Sequence, residues 1–140
     1  MNGSNNFWIK RNYNKNVLTW EEVFENLQYS KDNNLEIKFK PPALFVCHNG
    51  EKINKLAPIL KDLNCISAHI YINVFSQEIN FGKHKDEMNV WFWQCKGETK
   101  WVIDGTENIV KEGDLIFVQK EVYHNVIALG PRVGVSMSNE

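Results

Sequence analysis

Lys111-Glu112-Gly113-Asp114-Leu115-Ile116-Phe117-Val118, continued by Gln119-Lys120-Glu121-Val122-Tyr123-His124, is the stretch that decides the fold. Gly113-Asp114 makes a tight turn, and the four apolar residues after it are too few for a helix but enough for a buried strand. A β-turn then returns the chain and delivers His124. Outward from this stretch the same grammar repeats. Val90 to Gln94, Trp101 to Ile103, Val126 to Leu129 and Val133 to Met137 read as short strands. Gly82, Gly97, Asp104-Gly105 and Gly130-Pro131 punctuate them. Upstream, Ala68, Ile70, Ile72 and Val74 alternate with Ser67, His69, Tyr71 and Asn73, which gives one apolar face and one polar or amphipathic face. Many closely spaced strands with no helix between them predict an antiparallel sandwich or barrel.

The N-terminal third is mixed. Thr19 stands three residues before Glu22, a capping box, and Trp20, Val23, Phe24 and Leu27 keep helical spacing, so a helix is expected over 19–29. Leu35, Ile37 and Phe39 alternate with charged neighbours in a half-buried strand that Pro41-Pro42 stops. Ala43 to Cys47 is a second short strand. Asn49-Gly50 opens another helix, expected over 50–62, on which Ile53, Leu56, Ile59, Leu60 and Leu63 share a face. Pro58 marks a kink or an early end in it. The expected architecture is an all-β core with two short helices packed outside. Residues 1–140 read as one domain, with a mixed part over 1–64 and a β core over 65–138.

A chain of 140 residues can bury roughly two-thirds of its unfolded surface without disulfide staples. With 43% hydrophobic and 24% charged residues it has a globular composition. A net charge of −1 argues against a protein built mainly to neutralise phosphates. Cys47, Cys65 and Cys95 form no C-x-x-C pair, which suggests reduced thiols and a cytoplasmic setting. No apolar run approaches the ~18 residues of a membrane span, and residues 1–6 carry no hydrophobic signal core.

His84-Lys85-Asp86 and His124 carry the chemistry. On an extended segment, residues i and i+2 point to one side, so His84 and Asp86 can converge on one ion. A second imidazole from a distant strand makes two histidines and one carboxylate. That set leaves about three positions of an Fe(II) ion open for a bidentate co-substrate and O₂. A structural zinc site would instead fill all four positions, often with thiolates. His48 and His69 read as structural, although His69 lies on the strand face assigned to the cavity. Trp91, Trp93 and Trp101 read as barrel packing, Lys83 and Lys85 as solvated loop residues, and Cys95 as a small buried residue.

The order and spacing of these residues resemble the cupin superfamily, and within it the Jumonji C-like branch of Fe(II)/2-oxoglutarate oxygenases. Gly113 lies eleven residues before His124, the spacing of the second cupin motif, with Gln119 where a proline is usual and Glu121 where a glycine is usual. His84, Asp86, Gln94, Gly97 and Lys100-Trp101 match the first motif of the Jumonji-like branch. The resemblance covers about residues 66–138. It implies a double-stranded β-helix, with a metal on His84, Asp86 and His124 as catalytic centre, and Fe(II) and 2-oxoglutarate as cofactor and co-substrate. The far carboxylate of 2-oxoglutarate needs a cation. In the family a Lys or Arg after the Gly turn provides it, and alignment by length places Thr99 there, with Lys100 one residue late. A bulge near Gly97 would turn Lys100 inward. Lys96 and Arg132 are the other candidates, with Arg132 second to Lys100, and Tyr71, Asn73 and Asn89 are expected to add hydrogen bonds. The implied activity is that of a hydroxylase releasing succinate and CO₂. Two other readings are a metal-dependent cupin enzyme (dioxygenase, isomerase or lyase) that does not use 2-oxoglutarate, and a non-catalytic ligand-binding cupin. The primary substrate is open among a protein side chain, a nucleic acid and a small metabolite, and cupins commonly form homodimers.

Overall fold

The apolar residues of the chain sort onto two sides of one large sheet. The computed structural model describes residues 6–41, 43–75 and 82–140. Its elements run β1 (Phe7–Lys10), α1 (Trp20–Asp32), β2 (Ile37–Lys40), β3 (Leu44–Cys47), α2 (Ala57–Leu63), β4 (Ser67–Asn73), β5 (Val90–Lys96), β6 (Thr99–Ile103), β7 (Thr106–Val110), β8 (Leu115–Val118), β9 (His124–Ala128) and β10 (Arg132–Ser138). A seven-stranded sheet has the order β1-β8-β5-β10-β4-β3-β2, and a three-stranded sheet the order β7-β6-β9. Every pairing between these strands is antiparallel. The result is the expected jelly-roll barrel, a double-stranded β-helix.

Between the two sheets lie Phe92, Trp101, Ile103, Val110, Ile116 and Val118. On the other face of the large sheet a second core joins Val23 of α1 and Ile59 and Leu60 of α2 to Ile70, Trp93, Val133 and Val135. The central strands are therefore buried on both faces. That is why Val90 to Cys95 reads as a nearly unbroken apolar run rather than an alternating one.

The capping box closes as expected: Glu22 N–H donates to Thr19 Oγ1 (3.1 Å) and Thr19 N–H donates to Glu22 Oε1 (2.9 Å). Helix α1 then runs to Asp32, three residues beyond the expected end. The expected 50–62 helix is broken. Two single 3₁₀ turns, Gly50–Lys52 and Asn54–Leu56, precede α2. Pro58 sits in the first turn of α2, where its missing N–H removes no helical hydrogen bond, so it begins the helix instead of kinking it. Strands β1 and β7 were not expected from the sequence. β1 adds an edge to β8, and β7 returns from β6 over the Asp104-Gly105 turn. Pro42, the second half of the proline stop after β2, lies outside the described residues.

Candidate metal centre

Backbone bonds bring the ligand residues together before any metal is considered. His84 N–H donates to the His124 carbonyl (2.9 Å) and His124 N–H donates to the His84 carbonyl (2.8 Å), an isolated antiparallel bridge. Glu121 N–H donates to the Asp86 carbonyl (2.8 Å), which ties the other end of the H-x-D segment to the turn before β9. That turn needs a left-handed residue: Glu121 has φ +65°. It occupies the place where the second cupin motif has glycine, so the backbone conformation persists although the residue differs.

One ligand atom each of His84, Asp86 and His124 lies within 4.8 Å of the others. His124 Nε2 is 3.3 Å from Asp86 Oδ2. Each imidazole is also oriented from behind. His84 Nδ1–H donates to the Gly82 carbonyl and His124 Nδ1–H donates to the Val122 carbonyl, both at 2.9 Å. A carbonyl only accepts, so Nδ1 carries a proton in each ring and Nε2 is the nitrogen available to an ion. The His124 contact holds the Asp86 carboxyl below its ordinary pKa, against a burial that acts the other way. The donor set is two imidazoles and one carboxylate, the facial arrangement that suits a catalytic divalent metal.

The three residues line a cavity of about 430 Å³ between the sheets. Met88, Val90, Phe92, Trp101 and Val126 make an apolar wall. The pairing of β4 with β10 makes the polar wall, with Tyr71 opposite Gly134, His69 opposite Ser136 and Ser67 opposite Ser138. Arg132 also lines this cavity, although the residue is only 2% exposed. Its Nε–H donates to Asn73 Oδ1 (2.5 Å), and its guanidinium carbon lies 5.7 Å from the ring centres of both Tyr71 and Phe92. Its Nη1 is buried and finds no hydrogen-bond partner among the described residues. Burial pushes the guanidinium down to about 10, so it is charged at neutral pH.

The other expected site residues divide. Tyr71 lines the cavity, and burial raises its phenol above the usual value. Asn73 holds Arg132 and is itself fully buried. Asn89 does not line the cavity; its Oδ1 accepts the Lys120 N–H (2.8 Å) and braces the loop before β9. The inward placement of Lys100 is corrected by the structure. Strand β6 pairs with β7 and β9 without a slip, so Thr99, Trp101 and Ile103 face inward and are buried, while Lys100 lies on the opposite face. Its Nζ is 3.7 Å from Glu107 Oε2. The irregularity in this hairpin falls one strand earlier, at Cys95 of β5, where Val133 pairs with Lys96 and Gly134 with Gln94. It therefore cannot change the register of β6. Sequence reasoning placed Thr99 at the cation position by length alone and gave no role to Ser67 or Ser138. The signal for the two serines was available in strand parity, since Ser67 shares a face with His69 and Tyr71, and Ser138 with Arg132.

No family model and no curated protein matches the sequence. Solved structures do match the fold. The ribosomal oxygenase YcfD from Escherichia coli superposes with TM-score 0.74 at 11% identity, over 96% of this chain and 47% of that one. Its complex with cobalt and 2-oxoglutarate gives TM-score 0.75 at 9% identity, over 96% and 48%. An RmlC-like cupin from Shewanella frigidimarina gives TM-score 0.56 at 17% identity, over 77% and 86%. The chain spans about half the length of the YcfD structures. At these identities the likeness is one of fold, and the fold is the cupin double-stranded β-helix, shared with a simple cupin and with a ribosomal oxygenase.

Proposed function

We propose that the chain is an Fe(II)- and 2-oxoglutarate-dependent oxygenase acting as a hydroxylase. The observation that carries this reading is Arg132. A buried guanidinium with one unsatisfied nitrogen is costly, and it lines the same cavity as His84, Asp86 and His124. The remote carboxylate of a 2-oxo diacid is the partner that would offset that cost through a charge-assisted bond. The cobalt and 2-oxoglutarate complex of YcfD supports the same reading by likeness of fold.

His84, Asp86 and His124 would hold the metal and leave coordination positions open on the cavity side. The bound metal, with O₂ and the oxo acid, supplies the oxidation that turns 2-oxoglutarate into succinate and CO₂ while a substrate C–H bond is hydroxylated. The protein does the rest. Asp86 stays ionised beside His124, the two Nδ1–H bonds hold the imidazoles in their ligating tautomer, and Phe92, Trp101 and Val126 keep water from the reacting face. Arg132 fixes the co-substrate from the far end, and Tyr71 borders the same space. We place this domain, residues 1–140, in the cytoplasm on the strength of three buried, unpaired cysteines. The primary substrate is one of the three classes above, and self-association as a homodimer belongs to the same proposal. Among the described residues no helix is long and apolar enough to cross a membrane.

Arg132→Met keeps buried volume and removes the charge. It should weaken 2-oxoglutarate binding by about 30- to 1,000-fold, the equivalent of ~2–4 kcal/mol, and leave Co(II) affinity within about twofold. Calorimetric titration of Co(II)-loaded protein reads the first, and succinate formation by iron-loaded protein reads turnover. Unchanged 2-oxoglutarate binding in the variant would remove Arg132 from the site. A second reading, a metal cupin that does not use 2-oxoglutarate, is favoured by the outward Lys100. It becomes the better one if wild type binds Co(II) but neither binds nor consumes 2-oxoglutarate.

A further inference from the structure

Behind His124 lies a line of buried polar side chains that touches neither the metal nor the cavity's polar wall. Gln94 and Thr99 have no exposed surface, and Trp101 is 2% exposed. The direction of every bond in the line is determined. Gln94 Nε2 donates to the carbonyls of Lys96 (2.9 Å) and Gly97 (3.1 Å). Both partners only accept, so the amide cannot be reversed and Oε1 must point the other way. Thr99 Oγ1–H donates to that Oε1 (2.9 Å). The hydroxyl proton is then committed, and a lone pair of Thr99 Oγ1 accepts the Trp101 indole N–H (3.1 Å). The indole lies 5.7 Å from the His124 imidazole, centre to centre, with the planes only 18° apart. Phe92 packs against the same indole in a T-shaped contact, centres 5.0 Å apart and planes at 64°.

Packing alone does not require this line. The inner face of β6 is apolar at Ile103, and a valine would fill the volume of Thr99 without bringing polar atoms into the core. A buried polar network is costly unless fully satisfied, and a fully satisfied one specifies a unique geometry. What this one specifies is the plane of the indole, and the indole faces the imidazole that supplies a ligand.

We infer that Thr99 is a positioning residue for the metal centre: through the Trp101 indole it sets the plane of the His124 imidazole. The inference rests on the metal-centre reading of His84, Asp86 and His124. The Nδ1–H bond to Val122 fixes the tautomer of His124, and the stacked indole limits rotation about its Cβ–Cγ bond. Together they aim Nε2 toward Asp86 and His84.

The test compares Thr99→Val, Thr99→Ser and, as a second break in the same line, Trp101→Phe, which keeps a ring but has no N–H. Two measurements are made on each folded protein: the His124 ring-proton shifts in metal-free protein, and Co(II) titration with the visible d–d spectrum. In Thr99→Val the His124 ring shifts should move, because the ring current of Trp101 falls on them. The Co(II) dissociation constant should rise about tenfold, at the low end for loss of an outer partner of a metal ligand, with a changed d–d envelope. Thr99→Ser restores the hydroxyl and should restore both signals, which a purely structural role would not predict. Trp101→Phe should repeat the rise in the Co(II) dissociation constant and the changed d–d envelope. These two readings decide the matter if Thr99→Val does not fold, because loss of the indole changes the ring shifts by itself. Unchanged His124 shifts, Co(II) affinity and spectrum, with only a lower melting temperature, would overturn the inference. If wild type itself fails to bind Co(II), the metal-centre reading fails. The ring shifts then still report whether Thr99 orients His124.

Discussion

Asp114 shows how much one side chain can organise. It is 3% exposed, and its carboxylate gathers three donors: Arg11 Nη1 (2.7 Å), Asn12 N–H (3.0 Å) and Lys111 N–H (3.0 Å). The residue before it, Gly113, accepts the Asn14 N–H through its carbonyl (3.1 Å), so one turn fastens the N-terminal segment to the barrel. Burial raises the Asp114 pKa, but the bonds from Lys111, Asn12 and Arg11 outweigh it and leave the value below the ordinary one. A depressed folded pKa contributes stability that is present above the unfolded value of about 3.9 and is lost as pH falls through the folded value. Asp114→Ala should therefore cost about 2–4 kcal/mol at pH 7, from charge-assisted bonds and two backbone donors left unpaired. The gap to wild type should close as pH falls below about 4. Urea unfolding at pH 7 and pH 3.5 measures both, and a gap that does not depend on pH would show that packing, not charge, is what Asp114 supplies.

At the scale of elements, register matters more than composition, and the sequence was legible where alternation was clean. The alternating face of β4 and the turn-strand sequence around Gly113 were enough to place the barrel, while the three ligand candidates came from the His84-Lys85-Asp86 pattern and the spacing of His124 from Gly113. β7 escaped notice because Thr106-Glu107-Asn108 supplies no apolar alternation, and β1 because Phe7–Lys10 is only four residues long and opens with three apolar side chains in a row. Lys100 failed on parity alone: a bulge one residue beyond Gly97 would have turned it inward, but the bulge lies at Cys95, before the turn. A bulge is a property of the pairing of two strands, so the sequence of one strand does not announce it. The same dependence makes Gly134 testable. A Cβ built there would stand 2.1 Å from the Phe92 ring. Because β10 and β5 are neighbours in the middle of the large sheet, the backbone has little room to yield, and the ring would be driven toward Trp101 and the cavity. Gly134→Ala should cost at least about 1–3 kcal/mol from overpacking, despite the better strand propensity of alanine. A thermal melt unchanged within a degree would mean that Phe92 has another rotamer available. On α1, by contrast, Thr19→Ala should cost only about 1 kcal/mol, because the capping box is exposed and local.

For the whole molecule, the candidate ligand triad is braced by the protein itself. Its parts are held by a backbone bridge, a left-handed turn and two Nδ1–H bonds. Metal binding should then stabilise by mass action rather than drive folding. A metal present at a hundred times its dissociation constant adds about 2.7 kcal/mol, which for a chain of this size is a rise of roughly 6–12 °C in melting temperature. Asp86→Ala should fold, since the Glu121 N–H bond goes to the Asp86 main-chain carbonyl and survives the substitution, and should show no such rise with Co(II). On the proposed reading 2-oxoglutarate should raise the wild-type melting temperature further, and Arg132→Met should keep the full rise with Co(II) but lose that additional one. These two variants separate the two halves of the cavity: one removes the ion and everything that depends on it, the other only the anion's far anchor. If 2-oxoglutarate stabilises Asp86→Ala as strongly as wild type, the anion does not need the metal, and the two sites are independent. If Co(II) fails to stabilise Arg132→Met, the buried guanidinium supports the ligand triad itself, and its charge belongs to the architecture of the barrel rather than to the co-substrate.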